Sequence, residues 1–298
     1  MVQPRWHSDP LPDFVQIRPR LFGIAYRILG SAAEAEDIVQ DVWVRWQGAN
    51  RSAVLDPLAF LATATTRLAI TIAQSARARR ETYIGPWLPE PVDTSSDPLL
   101  GAVRGEALQF AVLLLLEKLS PPERAAYVLR EAFEYPYREI AEILQLEEAN
   151  TRQLVARARQ HIANGRHQPV SPAEQQRLLE TFIAAAREGD LAALEGLFAA
   201  NVVSRSDGGG EVRAARVPIV GRERVAKFIA AFASHFWTGV TLRWIETNGQ
   251  PSVLITREEE MIAVATIDAS AEGIHQILWM MRSSKLNAVQ NQNQSLVA

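Results

Sequence analysis

Three groups of residues in this chain have the types and the spacing to do chemistry. The first lies in EAEDIVQDVWVRW, Glu34 to Trp46, where Asp37 and Asp41 stand four apart. One helical turn separates them, so their carboxylates share a face, with Gln40 close by. Paired carboxylates serve metal binding or proton transfer, but no histidine or third carboxylate is placed to complete such a site. Taken alone, the pair reads as a solvated face, with a docking surface for a basic partner as the second reading.

The second group lies in YREIAEILQLEEANTRQLVARARQHI, Tyr137 to Ile162, which reads as two short helices joined by a turn. Ile140 and Leu144 face inward from the first helix, Ala141 lets the two cross closely, and Leu146 plugs the turn. In the second, Leu154, Val155, Ala158 and Ile162 form an apolar stripe. Thr151, Arg152, Gln153, Arg157 and Arg159 are left outward. Such a face suits a DNA major groove, where arginine reads guanine, glutamine reads adenine and further basic groups hold phosphate. The competing reading is an ordinary helical hairpin with a solvated basic face. Gln145 occupies the turn position where such motifs often carry glycine.

The third group is scattered over the last third of the chain. Asp207, Asp268, His235 and His275 are candidates for acid–base work. Each has a plainer reading: Asp207 opens the turn-like Asp207-Gly208-Gly209-Gly210, His235 closes a helix and His275 sits in a strand. Trp237, Trp244, Trp279, Met280 and Met281 would line a pocket or simply pack a core.

The composition excludes several classes. The chain has 298 residues, 48% hydrophobic and 22% charged, enough apolar content for two or three cored domains. A net charge of −3 confers no general affinity for nucleic acid, so any such surface must come from local clustering. With no cysteine, disulfides and thiolate chemistry are out. The most apolar stretch, Phe110 to Leu116, falls far short of the roughly 20 residues that span a bilayer. No secretory signal is read at the N-terminus, no metal or cofactor is expected, and a cytoplasmic location is expected.

The elements that must position these residues fall into three blocks. In the first, Phe14, Ile17, Leu21, Ile24, Ala25 and Ile28 recur at helical spacing up to Gly30, a C-terminal cap. Ser31 and Glu34 form a capping box for a helix to about Trp46. Asp56-Pro57 opens a third helix to about Arg77, with Phe60, Leu61, Ala64, Leu68 and Ile72 inside. Arg67, Arg77, Arg79 and Arg80 lie on or just beyond it, either solvated or lining a nucleic-acid path. Helical periodicity resumes near Ala107 and runs to about Ile162, broken at Ser120-Pro121-Pro122 and near Gln145. In the last block, Ser171 and Glu174 cap one helix, another starts at Asp190, and a third covers about Arg222 to Phe236. Strands are expected at 217–220, 240–245, 253–256, 261–267 and 274–281, with turns at Asn248-Gly249 and Glu272-Gly273.

Between the first two blocks lies YIGPWLPEPV, Tyr83 to Val92. Three prolines, a tryptophan and a tyrosine are unusual in a segment that only joins domains. Proline lowers the entropy cost of ordering it, and Tyr83, Trp87 and Leu88 offer apolar surface that something must cover.

Taken together, these segments resemble a known family. SAAEAEDIVQDVWVRW with DPLAFLATATTRLAITIAQSARARRE resembles the σ2 domain of extracytoplasmic-function (ECF) RNA polymerase sigma factors, and LSPPERAAYVLREAFEYPYREIAEILQLEEANTRQLVARARQHI resembles their σ4 domain. YIGPWLPEPV and DGGGEVRAARVPIVGRERVAKF are similar to the linker and the C-terminal extension of the SigJ-type subgroup. The fold so implied is multi-domain: two all-α sigma domains, a σ2 helical bundle and a σ4 helix-turn-helix, plus an α+β SnoaL-like, NTF2-like cone. Residues 10–80 would be σ2, 81–106 the linker, 107–166 σ4, 171–286 the SnoaL-like module and 287–298 a flexible tail.

The resemblance also assigns roles. Asp37, Asp41 and Trp43 would dock on RNA polymerase core, which raises the docking reading above the solvated one. The loop Gly48 to Asp56, with Arg51, and the helix after it, with Arg67, Arg77, Arg79 and Arg80, would capture and melt the −10 element. Thr151, Arg152, Gln153, Arg157 and Arg159 would face the −35 duplex. Tyr83, Trp87, Leu88 and Pro89 would meet Asp207, Gly208, Gly209 and Gly210 in a regulatory interface, the C-terminal module clamping σ2, linker and σ4 in cis. A local aromatic cluster on σ2 is the alternative cover for the linker. A cone that binds a small ligand, or retains catalytic activity, is the alternative for the module. The subgroup's Asn-Pro-Asp-Lys-Leu pattern survives only as Arg282-Ser283-Ser284-Lys285-Leu286. The implied partners are RNA polymerase core, promoter DNA and the chain's own C-terminal domain, with no membrane.

Overall fold

A computed structural model describes residues 11–94, 109–286 and 289, without the side chains of 11–13, 52, 77 and 78. Linker residues 95–106, residues 107 and 108, and the tail at 287–298 apart from Val289 lie outside the described residues, as does the side chain of Arg77. The described chain divides into two compact units. One holds 11–79 and 115–164; the other holds 80–94, 109–114, 165–286 and 289.

The first unit is helical, and its helix ends are set by local chemistry. Helix α1, Leu11–Leu29, stops at Gly30, whose φ of 69° suits the left-handed closing position. Helix α2, Ala32–Gly48, begins where Ser31 Oγ accepts from the Glu34 N–H at 3.2 Å. Ala35, Ile38, Val39, Val42 and Trp46 form its buried stripe. A 3-10 turn at Arg51–Ala53 leads to α3, Pro57–Glu81, where Asp56 Oδ1 accepts from the Ala59 N–H at 3.0 Å. One expectation fails here: Phe60 is 40% exposed, reaching Trp46 only at ring-centroid distance 6.0 Å.

Helix α4, Phe110–Leu116, precedes α5, Pro121–Glu131, at whose start the Glu123 carboxylate accepts from the Ser120 N–H and hydroxyl. The turn after α5, which the periodicity does not reveal, holds Glu134 at φ 60° before Pro136. Helices α6, Tyr137–Leu144, and α7, Glu148–Gly165, make the helix-turn-helix. Gln145 closes α6 at φ 57° and ψ 46°, so the missing glycine leaves a side chain in the left-handed region.

Three arginines tie this unit together. Arg124 Nη1 donates to the Ile28 carbonyl at 2.6 Å and pairs with Glu117 at 2.7 Å. Arg20 Nη2 donates to the Phe133 carbonyl, with its guanidinium over the Phe133 and Tyr135 rings. Arg67 donates to the Ile143 and Glu142 carbonyls at 2.9 and 3.1 Å, where the negative end of α6 attracts a cation.

In the second unit, α8, Pro172–Glu188, and α9, Leu191–Leu197, start at Ser171 and Asp190, whose side chains accept from Glu174 N and Ala193 N. Strand β1, Phe198–Asp207, lies outside the strands that the sequence pattern predicts; β2, Ile219–Val220, α10, Arg222–Ala231, and α11, Ala233–Phe236, follow. The remaining strands are β3, Val240–Thr247, β4, Gln250–Arg257, β5, Glu260–Ser270, and β6, Gly273–Met280. Among the described residues they form a six-stranded sheet of order β2-β1-β6-β5-β4-β3, in which only β1 and β6 run parallel.

Side-chain alternation gives this sheet two buried faces. Val253, Ile255, Ala263, Ala265, Ile277 and Trp279 face α8, α9 and α10, packing on Phe182, Ile183, Leu194 and Val225. Leu254, Val264, Leu278 and Met280 face the other way, where Leu88, Phe110, Leu286 and Val289 cover them. The second face of the cone is therefore closed by segments from outside it in the chain. This is the α+β architecture that the resemblance implies.

Candidate interfaces for polymerase, DNA and the linker

On α2, Asp37 and Asp41 are exposed on one face, and Trp43 is half-buried against Phe14 at a centroid distance of 4.8 Å. The neighbouring acids are engaged: Glu36 pairs with Arg18 and Glu34 with Arg79, each at 2.5 Å. That face thus presents the Asp37–Asp41 pair, while Trp43 points well away from it around the helix.

The arginines expected along the −10 path do not form one free basic track. Arg67 caps α6, Arg79 pairs with Glu34, and Arg80 stacks its guanidinium 3.5 Å from the Trp87 ring centroid. Arg51 sits half-buried in the 3-10 turn. Sequence spacing places Arg67, Arg79 and Arg80 on one helix, but Arg67 and Arg79 are held by partners 45 to 76 residues away.

On α7 the apolar stripe holds as expected, with Leu154, Val155, Ala158 and Ile162 buried. Thr151 corrects the reading: it is 0% exposed, and its Oγ1 donates to the Glu147 carbonyl at 3.2 Å, so it faces inward as a helix-stabilising residue. Arg152, Gln153, Arg157 and Arg159 are exposed. Each arginine has an acid beside it: Arg152 pairs with Glu148, Arg157 with Glu123 at 3.2 Å and Arg159 with Glu131 at 2.7 Å.

The linker meets the end of β1. Asp207, 0% exposed, accepts from Tyr83 Oη at 2.5 Å through Oδ1 and from the Leu88 N–H at 2.8 Å through Oδ2. Lys285 Nζ lies 2.7 Å from the same Oδ2 and also donates to the Leu88 carbonyl. Burial and then the hydrogen bond to Asp207 push the Tyr83 phenol above its usual range, while burial pulls the Lys285 ammonium below its own. Within Arg282-Ser283-Ser284-Lys285-Leu286, the last two residues matter here. Lys285 joins the Asp207 cluster, and Leu286, 1% exposed, packs on the sheet.

The glycines follow from that contact. Gly209 and Gly210 have φ of 57° and 79°. A Cβ on Gly209 would lie 2.9 Å from Tyr83 Oη, and one on Gly210 would lie 3.0 Å from Ile84 Cδ1. Gly208 has ordinary φ but would drive a Cβ to 2.8 Å from the Val212 carbonyl oxygen. Pro89 is buried, and Trp87, half-buried, has Arg80 on its ring and Lys285 Nζ at 4.3 Å. Further along, the Asn248 N–H donates to the Val92 carbonyl at 2.8 Å, the Val92 N–H donates to Asn248 Oδ1, and Asp93 bridges Thr247.

Of the four acid–base candidates only Asp268 and His275 lie close enough to act on each other. Asp207 is taken up by the linker, His235 bonds Ser234, and His275 Nε2 sits 2.7 Å from Ser270 Oγ. Burial holds the Asp268 carboxyl above the usual range. Inside the cone, Phe182, Phe198, Phe236, Trp237 and Trp279 form contiguous aromatic contacts at 4.9–6.3 Å. Trp244 stands 42% exposed on β3, and Met280 packs on the opposite face. No group of three potential metal ligands exists among the described residues. No described helix is long and apolar enough to cross a membrane.

Comparison with known proteins places this geometry. Residues 14–80 match sigma-70 region 2, and residues 109–162 match sigma-70, region 4. Over 237 residues, 76% of this chain and 74% of the relative, the sequence is 37% identical to the ECF RNA polymerase sigma factor SigJ of Mycobacterium tuberculosis. The crystal structure of that organism's SigJ superimposes with a TM-score of 0.75 at 29% identity, covering 93% of this chain and 98% of the other. The chain belongs to the extracytoplasmic-function RNA polymerase sigma factors, and it is similar to SigJ over most of its length.

Proposed function

We propose that this sigma factor is governed in cis by its own C-terminal module, which holds the linker through Asp207. As a family member it is a sigma factor that binds RNA polymerase, and in our reading its C-terminal module regulates and does not catalyse. In our reading, Asp37, Asp41 and Trp43 dock on the core enzyme. Arg51, Arg67, Arg77, Arg79 and Arg80 serve the −10 element, and α7 serves the −35 duplex. A protein that melts DNA must hold unstacked bases, so the arginines now on protein partners have to be released first.

The observation that carries this reading is the convergence of Tyr83 Oη, the Leu88 N–H and Lys285 Nζ on one buried carboxylate. These polar contacts position the apolar segment, and the burial of Leu88 contributes about 1.5–3 kcal/mol. Such a linker cannot leave the sheet without exposing both.

Run-off transcription with core polymerase tests the proposal. Full-length protein is compared with Lys285→Met and with chains ending after Met281 or after Val170. Release of the linker is expected to change initiation several-fold in all three. Equal initiation from every form would contradict control in cis, and no RNA from any form would contradict promoter initiation itself.

A further inference from the structure

Among the exposed residues of α7, the arginines and the amides differ in how they are held. At 3.6 residues per turn, the side opposite the buried Thr151–Leu154–Val155–Ala158–Ile162 stripe is centred on positions 149, 153, 156 and 160. Those positions are Ala149, Gln153, Ala156 and Gln160, all exposed and without charge. The arginines flank them: Arg152 and Arg159 stand on one side and Arg157 on the other.

Each arginine is also pulled away from the centre. Arg159 uses Nε and Nη2 on one Glu131 oxygen, at 3.1 and 2.7 Å. Arg157 Nε reaches Glu123 at 3.2 Å, and that carboxylate is fixed in turn by the Ser120 hydroxyl and N–H. Arg152 pairs with Glu148 and lies over the Tyr137 ring at 4.4 Å. Exposed pairs are weak, about 0–1 kcal/mol, so they do not block phosphate contact; they set the direction in which each guanidinium points. Gln153 has no such partner among the described residues.

We propose that Gln153 is the specificity-determining residue of α7, reading an adenine at the groove floor, while Arg152, Arg157 and Arg159 hold the phosphate walls. This rests on the reading that α7 binds promoter duplex, and it reverses the expectation that the arginines read guanine. A glutamine amide matches the N6 donor and N7 acceptor of adenine, and two small alanines beside it allow close approach to the floor. A groove about 12 Å wide leaves flanking guanidinium groups nearest the backbones.

The test uses holoenzyme assembled from core polymerase and the full-length chain, selecting from promoter duplexes randomised across the upstream element. Wild type is expected to enrich adenine at one position. Gln153→Ala should lose about 5- to 150-fold discrimination there and nowhere else, and Gln153→Glu should shift the preference towards cytosine. Arg157→Ala and Arg159→Ala should weaken all sequences alike and each lower the salt slope by about one. The assignment is overturned if an arginine variant relaxes base preference while Gln153→Ala leaves the profile intact. If instead wild type enriches no upstream sequence, the duplex-binding reading of α7 itself fails.

Discussion

Lys285 Nζ lies 2.7 Å from Asp207 Oδ2, and the two side chains are 3% and 0% exposed. A buried ion pair adds little net stability over an apolar pair of the same shape, but losing one partner strands the other charge. Lys285→Met should therefore cost roughly 3–5 kcal/mol, and Asp207→Leu a similar amount. Combining them should recover much of the loss. Denaturant unfolding of the full chain measures all three; strictly additive losses would show that the two groups do not act as a pair.

Gly209 is the point where the loop beneath the linker meets Tyr83. Its φ of 57° alone costs a substituted residue about 1–2 kcal/mol. An added methyl would also meet Tyr83 Oη at 2.9 Å and Arg282 Cδ at 2.8 Å. Gly209→Ala is expected to speed protease cleavage near Trp87 and to make its fluorescence easier to quench. Gly196→Ala is the control, since nothing lies within 4 Å of its added carbon. Equal protection in both variants would separate the loop from the linker.

Gln145 holds a left-handed backbone that glycine adopts without strain. Gln145→Gly should stabilise the helix-turn-helix by about 1 kcal/mol, because glycine takes up the left-handed backbone without strain. A rise in unfolding midpoint of a few degrees would bear this out, and a fall would show that Gln145 makes contacts worth more than the strain.

What was legible in the sequence was mostly local. Ser31, Asp56, Ser171 and Asp190 announce helix starts because the cap and the N–H it accepts lie within three residues. Strand β1 gave no such signal. Its Ala200, Asn201, Ser204 and Ser206 break the apolar alternation, and its support is parallel pairing with β6 some 70 residues later. Thr151 misled for a different reason: a hydroxyl beside arginines looks outward, but back-bonding to the preceding turn lets it be buried. The arginines of α3 were recognised as a group, whereas their partners Glu34, the α6 carbonyls and Trp87 could be found only in three dimensions.

His275 gives the fold a predictable acid limb. Its ring stacks on His167 at a centroid distance of 3.5 Å and bonds Ser270, with Asp268 and Glu272 as the acids that act on it. Burial first, and the neighbouring His167 second, hold the imidazole below its usual value of 6.5. Above pH 6.5 neither folded nor unfolded chain is protonated there. As pH falls below 6.5, the unfolded chain takes up the proton first, so stability is lost until the folded value is passed. Asp268 works in the opposite sense: burial raises its carboxyl, so the folded chain takes up that proton first and stability is gained as pH falls through the folded value. The fall in unfolding midpoint that His275 contributes should begin as pH drops below 6.5, and His275→Gln should flatten it. An unchanged slope in the variant would place the acid sensitivity elsewhere in the chain.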